Sequence, residues 1–118
     1  MQYILLIYGN EAEAKKATKD DQMKMFAEYK VFTEELKGSG KMLGGEPLES
    51  VTTATTVRVK DGKTLRTDGP FAETREQLGG FYAIEAKDLD EAVMIAAKVP
   101  GAKYGCIEVR PIMKINAM

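Results

Sequence analysis

The residues able to do chemistry in this chain are carboxylates, arginines and tyrosines, and they gather around one segment. From Thr67 to Tyr82 the chain runs Thr-Asp-Gly-Pro-Phe-Ala-Glu-Thr-Arg-Glu-Gln-Leu-Gly-Gly-Phe-Tyr. Asp68 and Glu73 are the candidate catalytic carboxylates, and Glu46, Arg58, Phe71, Arg75 and Tyr82 are the candidate ligand contacts. A carboxylate transfers protons well near neutral pH when burial raises its pKa toward about 6–7. Arg58 or Arg75 beside it would stabilise an enolate-like anion. The loop itself needs its residue types. Asp68 suits an Asx turn, Gly69 tolerates positive φ, and Pro70 fixes its own φ while keeping Gly69 out of the helical region. Phe71 then has a defined direction, with the core as its expected anchor. The competing reading is a tightly folded loop whose Glu73, Arg75 and Glu76 are merely solvated.

What is missing narrows the chemistry further. The 118 residues contain no His, so Ser-His-Asp and Cys-His catalysis, His-ligated metals and imidazole switches are excluded. Cys106 stands alone, which excludes an internal disulfide and a thiolate cluster; with no His to activate it, it reads as a structural thiol. Gly38-Ser39-Gly40-Lys41 is not a phosphate-binding loop, because Met42 follows where Ser or Thr belongs and Glu35 holds the first Gly position. Leu43 likewise breaks the dinucleotide pattern. No loop has the spacing of a calcium hand. Neither a cofactor nor a metal is therefore expected. With 17 basic against 18 acidic residues, interleaved along the chain, no nucleic-acid partner is expected. The apolar run Ile4 to Ile7 is too short for a membrane span, and seven Met with a lone reduced thiol fit the cytoplasm.

The length suits one domain, residues 1–118, with 44% hydrophobic and 30% charged residues. Gln2 to Tyr8 is apolar on both alternating faces, as in a central strand covered on both sides. A polar connection leads to a long helix capped by Thr18 or Asp20, with Met25, Tyr29, Phe32 and Leu36 on one stripe and Phe26 beside it. Gly38 and Gly40 stop it. A short strand breaks at Pro47, and a hairpin turns at Asp61-Gly62. A three-residue loop is expected there, pairing Val59 with Lys63 and Val57 with Leu65; this collects Val57, Val59 and Leu65 on one face and Arg58 with Arg66 on the other. Gly80 to Ala86 is a further strand. Asp88 caps a second helix with Glu91 in the capping-box position, and Leu89, Ala92, Val93 and Ala96 form its inner stripe. The last strand, Gly105 to Ile112, turns Ile107 and Val109 against Cys106, Glu108 and Arg110. Without the hairpin the order is βαβ–βαβ, a ferredoxin-like α+β fold with an antiparallel sheet and both helices on one face. Two helices cover only one face of a sheet whose first strand is apolar on both. The expected cover for the other face is a second copy, giving a homodimer through the sheet face.

The Thr67–Tyr82 segment closely resembles the signature of the YCII-related domain family, in its DGPF branch. Gly44-Gly45-Glu46-Pro47-Leu48, Ala54-Thr55-Thr56-Val57-Arg58, Asp88-Leu89-Asp90-Glu91-Ala92 and Glu108-Val109-Arg110-Pro111 extend the resemblance over about residues 1–112. It implies a dimeric α+β barrel, in agreement with the reading above. Other YCII-related domains have been proposed to use a His–Asp centre, which a chain without His does not carry over. Barrels similar to this one include isomerases, lyases and cofactor-independent monooxygenases acting on small molecules in a cleft beside the sheet. That implies an enzyme using Asp68, Glu73 or Glu46 as base. The resemblance also implies an alternative, since relatives are frequently associated with alternative sigma factors: a non-catalytic ligand-binding or regulatory module. A polar pocket of a few hundred Å³ favours the first reading, and an exposed apolar patch the second. Glu85, Glu108 and Arg110 are strand charges that fit either an ion pair at the sheet edge or a pocket.

Overall fold

An eight-residue strand with no charged side chain belongs in the middle of a sheet, and β1 (Gln2–Gly9) takes that place. A computed structural model describes residues 1–115 of the chain. After β1 come a short helix α1 (Glu11–Ala14), the long helix α2 (Lys19–Gly38), β2 (Met42–Pro47), the hairpin β3 (Thr55–Lys60) and β4 (Lys63–Asp68), β5 (Gln77–Glu85), α3 (Leu89–Ala97) and β6 (Cys106–Pro111). Single 3₁₀ turns occupy Val51–Thr53 and Pro100–Lys103. The main sheet has the order β2-β5-β1-β6 with every pair antiparallel, and β3-β4 forms a separate two-stranded ribbon. This is the ferredoxin-like α+β arrangement, with the ribbon inserted between the two βαβ halves.

Register assigns the two faces of the sheet. Tyr3, Leu5 and Ile7 of β1 lie beside Ile84, Tyr82 and Gly80 of β5, and Leu5 and Ile7 also lie beside Val109 and Ile107 of β6. This face meets the helices, and with Phe32, Leu36, Ala92, Ala96 and Val99 it forms the core. Phe32 packs edge-on against Tyr82, ring centroids 5.2 Å apart. Close approach at the β2 edge requires Gly45, where a Cβ would fall 2.8 Å from both the Phe81 carbonyl and the Tyr82 ring. On the opposite face Ile4, Leu6 and Tyr8 align with Ala83, Phe81 and Leu78 of β5. Arg110, Glu108 and Cys106 flank them on β6, and Glu46 pairs with Phe81 from β2. Among the described residues no helix lies over this second face, and Ile4, Leu6 and Phe81 remain only half-buried.

The helices are held by side-chain caps. Thr18 caps α2, accepting from the Asp21 N–H at 3.1 Å while its own N–H donates to the Asp21 carboxylate at 3.3 Å. Asp88 caps α3, and the Glu91 carboxylate reaches back to the Lys87 N–H at 3.0 Å. Gly40, at φ 75°, turns the chain out of α2.

Four expectations are corrected. The hairpin has a two-residue turn, with Lys60 opposite Lys63, Val57 opposite Arg66 and Arg58 opposite Leu65. Asp61 and Gly62 take φ 51° and 76°, a pair of left-handed residues whose twist matches that of the strands. Arg58 and Arg66 therefore point to opposite faces, and Leu65 leaves the valines. In α3 the inward residues are Ala92, Ile95 and Ala96, whereas Leu89 and Val93 are about half exposed. Alanines let that helix approach the sheet closely, which turns the larger side chains outward. Phe26 is 75% exposed on the outer side of α2, and Phe71 is 78% exposed, so the signature loop is not anchored in the core.

Candidate functional site

A shallow, open cleft of about 530 Å³, lined mainly by polar and charged residues, lies where three connections meet at the end of the central strands. The exit of β1 supplies Asn10, Glu11, Ala12 and Lys15, the segment after β2 supplies Val51, and the entry to β5 supplies Thr74, Arg75 and Gln77. Local hydrogen bonds build this corner. Asn10 caps α1 by accepting from the Glu13 N–H at 3.0 Å. Glu11 ties the three connections together: its carboxylate accepts from Ser50 Oγ at 2.8 Å and from the Val51 N–H at 3.1 Å, while its own N–H donates to Gln77 Oε1 at 2.9 Å. Gln77 Nε2 in turn donates to the Thr74 carbonyl at 2.6 Å. The Glu11 carboxylate is thus occupied, and the cations of the cleft remain: among the described residues neither Lys15 nor Arg75 has an ion-pair partner.

The residues singled out from the sequence are distributed around this corner. Arg75 lines the cleft. Glu73 lies two residues before it, exposed, and Asp68 ends β4 at the start of the same loop, also exposed. Gly69 is held to the hairpin base by its N–H donating to the Ala54 carbonyl at 2.7 Å and by its own carbonyl accepting from Thr56 Oγ1 at 2.8 Å. Glu46 lies on the open face of the sheet and Arg58 on the ribbon. Tyr82 is buried on the helix side, its hydroxyl 2.7 Å from Thr33 Oγ1. Only Arg75 of this set lines the cleft. Asn10, Glu11, Lys15 and Gln77 were not singled out from the sequence; the available signal was Asn10 ahead of an acidic first turn, a helix start read there as a polar connection.

Two other regions carry polar chemistry. On the open sheet face Cys106 Sγ lies 3.7 Å from Glu76 Oε1. The surrounding sheet strips hydration from the thiolate, and Glu76 and Glu108 repel it, so the thiol pKa is raised. Glu85 pairs with the N-terminal ammonium at 3.4 Å, while Glu108 and Arg110 project from one face of β6. On the helix side a groove of about 590 Å³ runs between α2 and the Pro100–Lys103 turn, bridged by Lys103 Nζ to Glu28 Oε2 at 2.7 Å. That pairing lowers the Glu28 pKa and raises that of Lys103. Among the described residues no group of three or more Cys, Asp or Glu is placed to hold a metal ion, and no helix is long and apolar enough to cross a membrane.

Comparison with known proteins adds a family to this geometry. The YCII-related domain model matches residues 1–116. The chain belongs to the YCII-related domain family. A relative in Rhizobium meliloti (strain 1021), described as an uncharacterised protein, is 35% identical over 114 residues, spanning 95% of this chain and 92% of that one. Among solved structures this YCII-related chain is similar to the 5-chloro-2-hydroxyhydroquinone dehydrochlorinase of Burkholderia phenoliruptrix AC1100, determined in complex with 2,5-dihydroxybenzoquinone. The TM-score is 0.58 at 16% identity, over 96% of this chain and 94% of that one, a likeness of fold.

Proposed function

We propose that this YCII-related protein is a small-molecule enzyme that moves protons without a resident cofactor, acting on a small anionic or readily ionised ring compound bound in the strand-end cleft. The observation that carries the reading is the pair of cations, Lys15 and Arg75, lining a cleft whose one carboxylate is already engaged by Ser50 and Val51. Such cations favour an oxyanion, both in the bound ligand and as charge develops during proton removal. Glu73, two residues before Arg75 on the same exposed loop, is the carboxylate assigned to take the proton, with Asp68 at the end of β4 as the alternative. The electron pair moves onto the ring oxygen, or expels a leaving group as its anion. The fold-mate that acts on a chlorinated hydroxyhydroquinone supports the choice of substrate class.

The working form on this reading is a homodimer through the open sheet face, which would cover Ile4, Leu6 and Phe81. The exposed surface of the protomer supports it: 9042 Å², against about 6,300 Å² for a folded monomer of 13.0 kDa. A second reading, a regulatory module, draws on the exposed apolar side chains of the ribbon and of Phe71.

Solvent-exchange NMR in deuterium oxide separates the two. Wild-type protein is expected to accelerate exchange of ring C–H protons in at least one hydroxyquinone, hydroxylated aromatic acid or ring lactone. Asp68→Asn or Glu73→Gln should lower that rate by about 10²-fold or more. Binding without exchange across the whole panel would replace the enzyme with the regulatory module.

A further inference from the structure

The hydrogen-bonding capacity of the strand-end cleft is unevenly divided. Its acceptors are already in use. Asn10 Oδ1 accepts from the Glu13 N–H at 3.0 Å, and Gln77 Oε1 accepts from the Glu11 N–H at 2.9 Å. The two Glu11 oxygens accept from Ser50 Oγ at 2.8 Å and from the Val51 N–H at 3.1 Å. The Thr74 carbonyl accepts from Gln77 Nε2 at 2.6 Å, and the Thr74 hydroxyl donates to the Glu76 carbonyl. Every carbonyl and carboxylate oxygen on the lining side chains thus has a donor from the protein itself.

The donors of the cleft are in the opposite condition. A backbone N–H can only donate, so the Asn10 atom bonded to Glu13 is the amide oxygen, and Asn10 Nδ2 is left over. Glu11 and Lys15 stand four residues apart, the spacing at which opposite charges pair on a helix. The Glu11 carboxylate is instead drawn to Ser50 and Val51, and among the described residues neither Lys15 nor Arg75 has an ion-pair partner. Glu13, the other acid of α1, pairs with Lys16 at 3.4 Å. The hydrogens left for a ligand therefore belong to a guanidinium, an ammonium and a primary amide.

Such donors suit two anionic groups. The planar fork of Arg75 takes a carboxylate in bidentate fashion, which engages both oxygens of that group. Lys15 is a point charge on a different connection, and it remains for a second anionic oxygen. A ligand hydroxyl that keeps its proton meets only carbonyl and carboxylate oxygens that already accept. In so open a cleft it stays bonded to water and adds no affinity.

We infer that the cleft selects doubly ionised ring compounds, with one carboxylate and a second anionic oxygen group, over their singly ionised or hydroxylated counterparts. This rests on the anion-binding cleft of the proposed function and narrows its substrate class from a small anion to a dianion.

Isothermal titration calorimetry of the full chain at neutral pH tests the selection with benzoate, 2-(hydroxymethyl)benzoate, phthalate and isophthalate. At least one dicarboxylate should bind about tenfold or more tighter than benzoate, and 2-(hydroxymethyl)benzoate no tighter than benzoate. Lys15→Gln and Arg75→Gln should each remove most of the dicarboxylate's advantage, with far-UV circular dichroism unchanged. Benzoate and dicarboxylates bound equally by wild type, and lost together in the double variant, would overturn the selection and leave the anion cleft standing. Tighter binding of 2-(hydroxymethyl)benzoate than of benzoate would reveal a free acceptor and likewise overturn the selection alone. No binding of any probe, or binding equal in wild type and both variants, would overturn the selection and the cleft together.

Discussion

Both carboxylate oxygens of Glu11 are committed within the chain, to Ser50 and to the Val51 N–H, so this acid shapes the cleft and leaves Lys15 and Arg75 to set its charge. At the same scale Cys106 shows what an exposed thiol becomes beside carboxylates. Partial desolvation, then Glu76 3.7 Å from the sulfur, raise its pKa. Alkylation by iodoacetamide, followed against pH, should therefore show an inflection above the ordinary thiol value of about 8.5. In Glu76→Gln the inflection should move back toward that value. An inflection at or below the ordinary value in wild type would remove the assigned electrostatics. Residue chemistry was legible in part. Arg75, singled out from its place in the loop, lines the cleft. Phe71 was not legible, because residue type does not tell whether a loop returns to the core, and Tyr82 was not, because its role depends on which face of β5 meets the helices. The Tyr82 hydroxyl is bonded to Thr33 inside the molecule, and Phe71 faces solvent.

At the scale of elements, β1 announced its central place by being apolar on both faces, and the cap residues Thr18 and Asp88 announced the starts of α2 and α3. The ribbon register was obscured because register is strongly specified only where one face is buried. On an exposed ribbon the turn decides, and Asp61-Gly62 closes it in two residues. The inner stripe of α3 was half legible: Ala92 and Ala96 lie inward as expected, whereas Leu89 and Val93 stay half exposed and Ile95 packs inward in their place. The start of α3 also carries a pH dependence. The Lys87 N–H and then Lys41, 3.0 Å away, hold the Glu91 carboxyl below its ordinary pKa. A depressed carboxyl stabilises the fold above its unfolded pKa of about 4.3, and that contribution is lost as pH falls through the folded value. Glu91→Gln should therefore lower Tm at pH 7 and lose most of that difference by pH 3. An equal deficit at both values would show that Glu91 acts through packing alone.

The whole molecule is flat, thin and over-exposed for its mass, with its helices on one side and an apolar sheet face on the other. The sequence carried this far-reaching feature in a few residues of β1, since apolar side chains on alternating faces require cover on both. What it did not carry was the cleft. Its walls come from three connections distant along the chain, joined by Glu11, Ser50 and Gln77, and no local pattern records such a meeting. The function proposed for this YCII-related protein stands on the two cations of that cleft. It is tested most directly by the thermal stabilisation that 2,5-dihydroxybenzoquinone and small aromatic carboxylates confer on wild type and on the double variant Lys15→Gln, Arg75→Gln. At least one such anion should raise the wild-type Tm by several degrees and leave the double variant unmoved. Equal stabilisation of both proteins, or no stabilisation of wild type by any anion in the panel, would contradict the assignment of the cleft.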